Sequence, residues 1–177
     1  IFPRIPVGVS GFDQLVEGGF PADSLILLAG HPGAGKTTFA SQFIYAGATV
    51  YKQKGIYVTF AETKPALLRN ALRYDWDFEM LERDGKVKIL DMTTVREDGL
   101  RSNIDSILHA VTEINAERLA IDSFTAMTMA LREPIDIRIL LHLLYKFLQK
   151  VHCTTLMIVD VPWGTYQISA ATQFISD

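Results

Sequence analysis

Apolar residues along this chain alternate between two rhythms. Ser24-Leu-Ile-Leu-Leu-Ala29 is an unbroken apolar run with the length of a buried strand. Phe39, Ala40, Phe43, Ile44 and Gly47 then recur at helical spacing, and that helix runs to about Thr49. Gly55-Ile-Tyr-Val-Thr-Phe60 returns to strand, rich in β-branched and aromatic residues. Thr63 is placed to cap the next helix, with Pro65 early enough to be tolerated and Leu67, Leu68, Ala71 and Leu72 on its apolar face. Trp76, Phe78, Met80 and Leu81 form a short further helical turn before Asp84-Gly85, and Lys86-Val-Lys-Ile-Leu-Asp91 alternates as a third strand.

A polar loop from Met92 to Gly99 leads into a helix with Ile104, Ile107, Leu108, Val111 and Ile114 on one stripe. Arg118-Leu-Ala-Ile-Asp122 is the fourth strand. Its core shows no polar alternation, as expected of a central parallel strand covered on both faces. The helix from about Ile135 to Val151 sets Ile137, Leu140, Leu141, Leu143, Leu144, Phe147, Leu148 and Val151 on one arc, with Arg138, His142, Lys146, Gln149 and Lys150 opposite. Thr154-Thr-Leu-Met-Ile-Val159 is the fifth strand and carries Asp160 at its tip. Upstream of all this, Ser10 is expected to cap a short helix with Phe12, Leu15 and Val16, which Gly18 and Gly19 stop.

Strands that alternate with helices imply right-handed βαβ units: a mainly parallel sheet with helices on both faces, a three-layer α/β/α domain. Ligands in such sheets bind at the carboxyl ends of the strands. Glu62, Asp122 and Asp160 fall at such ends, and so does the most informative stretch of the chain, Gly30-His31-Pro32-Gly33-Ala34-Gly35-Lys36-Thr37. It fits the phosphate-loop template G-x-x-x-x-G-K-[ST] at every fixed position, between a strand and an amphipathic helix. Gly33 and Gly35 can adopt positive φ and turn their amides inward, making an anion nest at a helix N-terminus. Lys36 brings an ammonium to the terminal phosphates, the Thr37 hydroxyl can ligate Mg²⁺, and Thr38 follows in the cradle.

Asp122, closing an apolar strand, is suited to approach Mg²⁺ through a bound water; the alternative is a capping role with Ser123 and Thr125. Glu62 can orient or deprotonate an attacking water, against a plain solvated glutamate. Neighbouring residues on an extended strand face opposite ways, so Ala61 and Glu62 cannot both face that water. His31 reads as a solvated loop-tip residue. His109, His142, His152 and Cys153 show no zinc-ligand spacing. No Asn-Lys-x-Asp segment reads guanine, which favours adenine.

With 177 residues, 49% of them hydrophobic and 21% charged, the chain suits one domain with a substantial core. A net charge of −3 gives no global attraction to nucleic acid or an anionic membrane. The basic residues Arg138, Lys146 and Lys150 read as a solvated helix face. The single cysteine excludes an intramolecular disulfide and fits a reducing, cytoplasmic compartment. No apolar run approaches the ~20 residues of a membrane span.

The segments RIPVGVSGFDQLVEGGFPADSLILLAGHPGAGKTTFASQFIYAGA, GIYVTFAET, YDWDFEMLERDGKVKILD and ERLAIDSFTAM resemble the KaiC-like branch of RecA-type ATPases, with a weaker match through TTLMIVDVPWG and QFISD. The resemblance implies a RecA-like P-loop core, ATP with Mg²⁺, and a homo-oligomeric ring, commonly a hexamer, with nucleotide between subunits. Three departures accompany it. The family's two adjacent glutamates are Ala61 and Glu62 here, which bears on hydrolysis. Its polar pair on the fifth strand is Ile158-Val159, followed by Asp160, which bears on phosphate sensing. Its further strands with basic residues lie beyond the position of Asp177, so the domain, residues 1–177, is expected to lack them. The expected activity is Mg-ATP binding with slow hydrolysis. Its rivals are a nucleotide-sensing scaffold that does not turn over, and a recombinase paralogue on single-stranded DNA. No basic, aromatic-interleaved stretch supports the last.

Overall fold

The computed structural model describes residues 3–94, 100–129 and 134–162. The second half of the polar loop and the QFISD segment lie outside the described residues. The chain begins with β1 (Arg4–Ile5), α1 (Phe12–Leu15) and β2 (Phe20–Pro21), and β1 and β2 pair antiparallel in a small ribbon. The main elements follow: β3 (Leu25–Gly30), α2 (Lys36–Thr49), β4 (Gly55–Thr59), α3 (Lys64–Leu72), α4 (Phe78–Arg83) and β5 (Val87–Asp91). They continue with α5 (Leu100–Ile114), β6 (Arg118–Asp122), α6 (Phe124–Thr128), α7 (Pro134–Lys150) and β7 (Thr154–Asp160).

β3, β7, β6, β4 and β5 form one sheet in that order, and every pairing is parallel. Alternation along the strands sorts the core into two layers. Ile56, Val58, Leu119, Ile121, Met157 and Val159 face one side, against Ile107, Val111, Leu141, Leu144 and Leu148 of α5 and α7. Tyr57, Ala120, Leu156 and Ile158 face the other, against Ala40, Phe43 and Ile44 of α2, Leu67 of α3 and Phe78 of α4. This is the expected three-layer arrangement. Among the described residues no helix is long and apolar enough to cross a membrane.

Three details depart from expectation. Ser10 does not cap α1: Gly11 holds that position at φ 80°, and no side chain caps the helix. The polar anchor is Asp13, whose carboxylate oxygens accept from the Val7 and Gly8 amides at 2.7 and 3.1 Å. β3 was expected to be buried, yet none of its residues is fully so, because among the described strands it pairs with β7 alone. Finally, Ser123 caps a short helix, α6, that periodicity did not reveal; its hydroxyl accepts from the Ala126 amide at 3.1 Å.

Arg118, read only as a strand residue, is the largest fully buried side chain. Its guanidinium donates to the Phe43 and Val7 carbonyls at 2.8 and 3.3 Å, to Gln53 Oε1 at 2.7 Å and to the Pro6 carbonyl. It also lies over the Phe43 and Tyr51 rings, 4.7 and 5.2 Å from their centroids. Burial pushes its pKa down to about 10. One cation thus joins the N-terminal segment, α2 and β6. Gly47 makes room for it, since a Cβ there would stand 2.5 Å from Arg118 Cδ.

Candidate functional site

β3 delivers the chain to Gly30, and α2 begins six residues later at Lys36. Between them Gly33 and Gly35 take φ of 82° and 88°, the left-handed region that favours glycine. Gly35 is the N-cap of α2 and supplies no side-chain acceptor. The first amides of this 14-residue helix therefore keep their hydrogen-bonding capacity for an anion. His31, Pro32, Gly33, Ala34 and Gly35 form the loop's accessible crest, and the Ala34 amide donates to the His31 carbonyl at 3.2 Å. His31 is less solvated than expected, its Nδ1 lying 3.0 Å from the Val161 carbonyl.

Lys36 folds back over the loop. Its ammonium donates to the Gly30 and His31 carbonyls at 2.8 and 2.7 Å and lies 3.2 Å from Asp160 Oδ1. Asp160 is held in turn by its own amide, which donates to Thr125 Oγ1 at 2.9 Å. The fifth-strand acid therefore answers the phosphate-loop lysine.

Thr37 and Asp122, 85 positions apart in sequence, meet at the carboxyl end of the sheet, where Thr37 Oγ1 donates to Asp122 Oδ2 at 2.8 Å. A hydroxyl and a carboxylate are hard oxygen donors of the kind Mg²⁺ takes, together with phosphate and water. The pair fits that ion. Among the described residues no cluster of three or more His, Cys, Asp or Glu side chains could hold a metal of another kind. Tyr57 joins the same carboxylate oxygen, its hydroxyl donating at 2.8 Å. Burial, then the Asp122 charge, pushes the Tyr57 phenol well above its usual range, so it keeps its proton. Sequence reasoning treated Tyr57 as strand filler. A tyrosine where alternation puts its neighbours Ile56 and Val58 on the opposite face was the available signal.

Glu62 lies beyond the end of β4 rather than on it, so strand alternation does not govern Ala61 and Glu62. The turn is closed by Thr59, whose hydroxyl donates to the Glu62 carbonyl at 2.6 Å and accepts from the Glu62 amide at 3.2 Å. Ala61 is exposed and Glu62 half-buried. Thr63 caps α3 as expected, accepting from the Ala66 amide at 3.4 Å. The Glu62 carboxylate accepts from the side-chain amide of Asn70 on α3. Both line a cavity of about 300 Å³ with Thr37, Thr38 and Ser41 of α2 and with Arg73, Tyr74 and Trp76. Tyr74 stacks on Trp76 with centroids 4.7 Å apart. The motif's Thr37 and Thr38 thus share a cavity lining with two aromatic rings. Asn70, Arg73, Tyr74 and Trp76 were not among the expected site residues, for no short motif marks them.

The family model described as "ATPase: KaiC" matches residues 5–176. The circadian clock oscillator protein KaiC of Thermostichus vulcanus is 32% identical over 183 residues, an overlap of 98% of this chain and 35% of that protein. The chain therefore spans about a third of the length of such relatives. UPF0273 protein MJ1359 of Methanocaldococcus jannaschii is 31% identical over 175 residues, 91% of this chain and 72% of that one. In three dimensions the chain is similar to the KaiC-like protein PH0186 of Pyrococcus horikoshii OT3, with a TM-score of 0.86 and 38% identity, covering 99% of this chain and 78% of that one. A phosphate loop on a RecA-type parallel sheet, matched at family level over nearly its whole length, makes this chain a member of the KaiC family of ATPases.

Proposed function

We propose that this domain binds Mg-ATP and hydrolyses it slowly. The observation that carries the reading is the meeting of the Thr37 hydroxyl and the Asp122 carboxylate at the N-terminus of α2, beside a loop whose glycines leave the helix amides uncapped. Gly30 to Thr38 would cradle the phosphates, with Lys36 turning from the loop carbonyls to the terminal ones. Thr37 and Asp122 would hold the cation, Thr37 directly and Asp122 through water. Bound there, Mg²⁺ neutralises phosphate charge. The cavity that Thr38, Ser41 and the exposed Tyr74 line together supports placing the nucleoside along α2, with an aromatic face for the base.

Glu62 is the base in this reading, since it alone of the pair Ala61 and Glu62 lines the cavity with Thr37. Nucleotide titration with and without Mg²⁺, run beside steady-state phosphate release, tests the whole. Lys36→Ala should strongly weaken ATP binding. Asp122→Asn should lose only the Mg²⁺-dependent part of the affinity. Unchanged affinity in Lys36→Ala removes the phosphate-loop assignment, and an unchanged Mg²⁺ dependence in Asp122→Asn returns that residue to a structural role.

A second reading, a nucleotide sensor that does not turn over, is favoured by one observation: the Glu62 carboxylate is already engaged by Asn70. ATP binding without phosphate release would select it. The family resemblance also supports a homo-oligomeric ring, up to a hexamer, in a cytoplasmic setting, with ATP favouring association. Light scattering with and without nucleotide tests that.

A further inference from the structure

The carboxylate oxygen of Asp122 that accepts from Thr37 accepts a second bond, from a residue that no motif names. β4 and β6 pair in register, Tyr57 opposite Ala120 and Thr59 opposite Asp122. Side chains two apart on a strand share a face, so Tyr57 and Asp122 are diagonal neighbours on the α2 side of the sheet. A phenol is long enough to cross that diagonal, and its hydroxyl donates to Asp122 Oδ2 at 2.8 Å. Tyr57 is 1% exposed and Asp122 7%, so water does not compete for this bond. A phenol has one hydrogen, and in this bond it is directed at the carboxylate. Tyr57 and Thr37 therefore both donate to Asp122 Oδ2, one from the sheet and one from α2.

We propose that Tyr57 is a positioning residue for the metal site: its hydroxyl fixes the Asp122 carboxylate in the orientation from which it serves the cation of a bound metal–nucleotide complex. The proposal rests on the reading of Asp122 as a metal-site residue. Without the phenol, a nearly buried carboxylate keeps one donor, Thr37, and is free to turn about it. Partners that orient a ligand in this way typically contribute about 10–100-fold to metal affinity.

The test uses the whole chain with ADP and Mn²⁺ as the metal probe, followed by electron paramagnetic resonance, beside ADP titration in EDTA. Tyr57→Phe should keep metal-free ADP affinity and lose at least about tenfold in Mn²⁺ affinity of the ADP complex. A role confined to packing would lower the melting temperature and leave the Mn²⁺ affinity unmoved. That result, in folded Tyr57→Phe, overturns the proposal. Asp122→Asn in parallel separates the two claims. If it loses Mn²⁺ affinity while Tyr57→Phe does not, the positioning role fails and the metal reading stands. If neither loses it, both fall. Should Tyr57→Phe not fold, Tyr57→Leu carries the test: a loss of Mn²⁺ affinity of the ADP complex with metal-free ADP affinity kept supports the proposal, and no loss overturns it.

Discussion

The side-chain amide of Asn70 donates to the carboxylate of Glu62, from the last turn of α3 to the turn that precedes the helix. That turn is itself tied by Thr59, so backbone and side chain of Glu62 are each held by a different element. A carboxylate held by one donor keeps acceptor capacity for a second, and an attacking water is such a donor.

Two outcomes are expected at this pair. Glu62→Gln should cut ATP turnover by about 10²–10⁴-fold while ATP binding persists, because a carboxamide cannot accept the proton. Asn70→Ala should lower kcat several-fold with little change in KM, since the carboxylate then has to be ordered within each turnover. Single-turnover phosphate release measures both. Unchanged turnover in Glu62→Gln removes Glu62 as base.

The Lys36–Asp160 contact leads to a prediction of opposite sign. An incoming phosphate must draw Lys36 away from Asp160 Oδ1, 3.2 Å from it in the structure. Asp160 is 40% exposed, so solvent weakens the pair and its contribution is at most about 1 kcal/mol. Asp160→Asn should therefore tighten ATP binding by about two- to fivefold. Calorimetry that found weaker binding would give Asp160 a role in holding the nucleotide instead.

At the far end of the sheet, Arg118→Met should destabilise the fold by about 3 kcal/mol, since it strands the Phe43 and Val7 carbonyls the guanidinium now satisfies. Gly47→Ala should also destabilise, because its new methyl meets the Arg118 side chain. Combined, the two should cost less than their sum, the methyl occupying space the guanidinium has left. Urea unfolding of the two single variants and the double variant gives the coupling directly.

Cys153 is fully buried, and desolvation pushes its thiol pKa from 9.0 up to about 12. Native protein should resist alkylation at pH 8 and react only as it unfolds. Because the folded value is the higher one, the folded state holds the proton longer. Its stabilising contribution is complete below about pH 9 and is lost as pH rises toward 12. Cys153→Ala should flatten that part of the stability–pH curve, which denaturant midpoints at pH 8 and pH 11 would measure.

Much of this molecule was legible one residue at a time. The phosphate loop, the strand–helix alternation and the Thr63 cap are local patterns, encoded within a turn of helix or a few residues of strand. Such patterns survive without knowledge of what packs against them. The same locality explains the errors. Ser10 has the right chemistry for a cap, but Gly11 takes the position, in a left-handed conformation that composition alone does not reveal. Strand alternation does not reach Ala61 and Glu62, because β4 ends at Thr59, three positions before Glu62.

Tertiary structure alone decided who meets whom. Tyr57 reaches Asp122 across 65 positions, Arg118 reaches Val7 across 111, and Lys36 finds Asp160 only because β7 lies beside β3. The strand order β3-β7-β6-β4-β5 produces these meetings. Periodicity states that a residue faces a core, and crossovers that pass over one or two strands determine which core and which neighbour. Sequence named the groups here proposed to bind a phosphate and a cation. The order of the sheet brought Tyr57 under the carboxylate and Asp160 beside Lys36, because contacts between strands depend on order and register, which no local pattern contains.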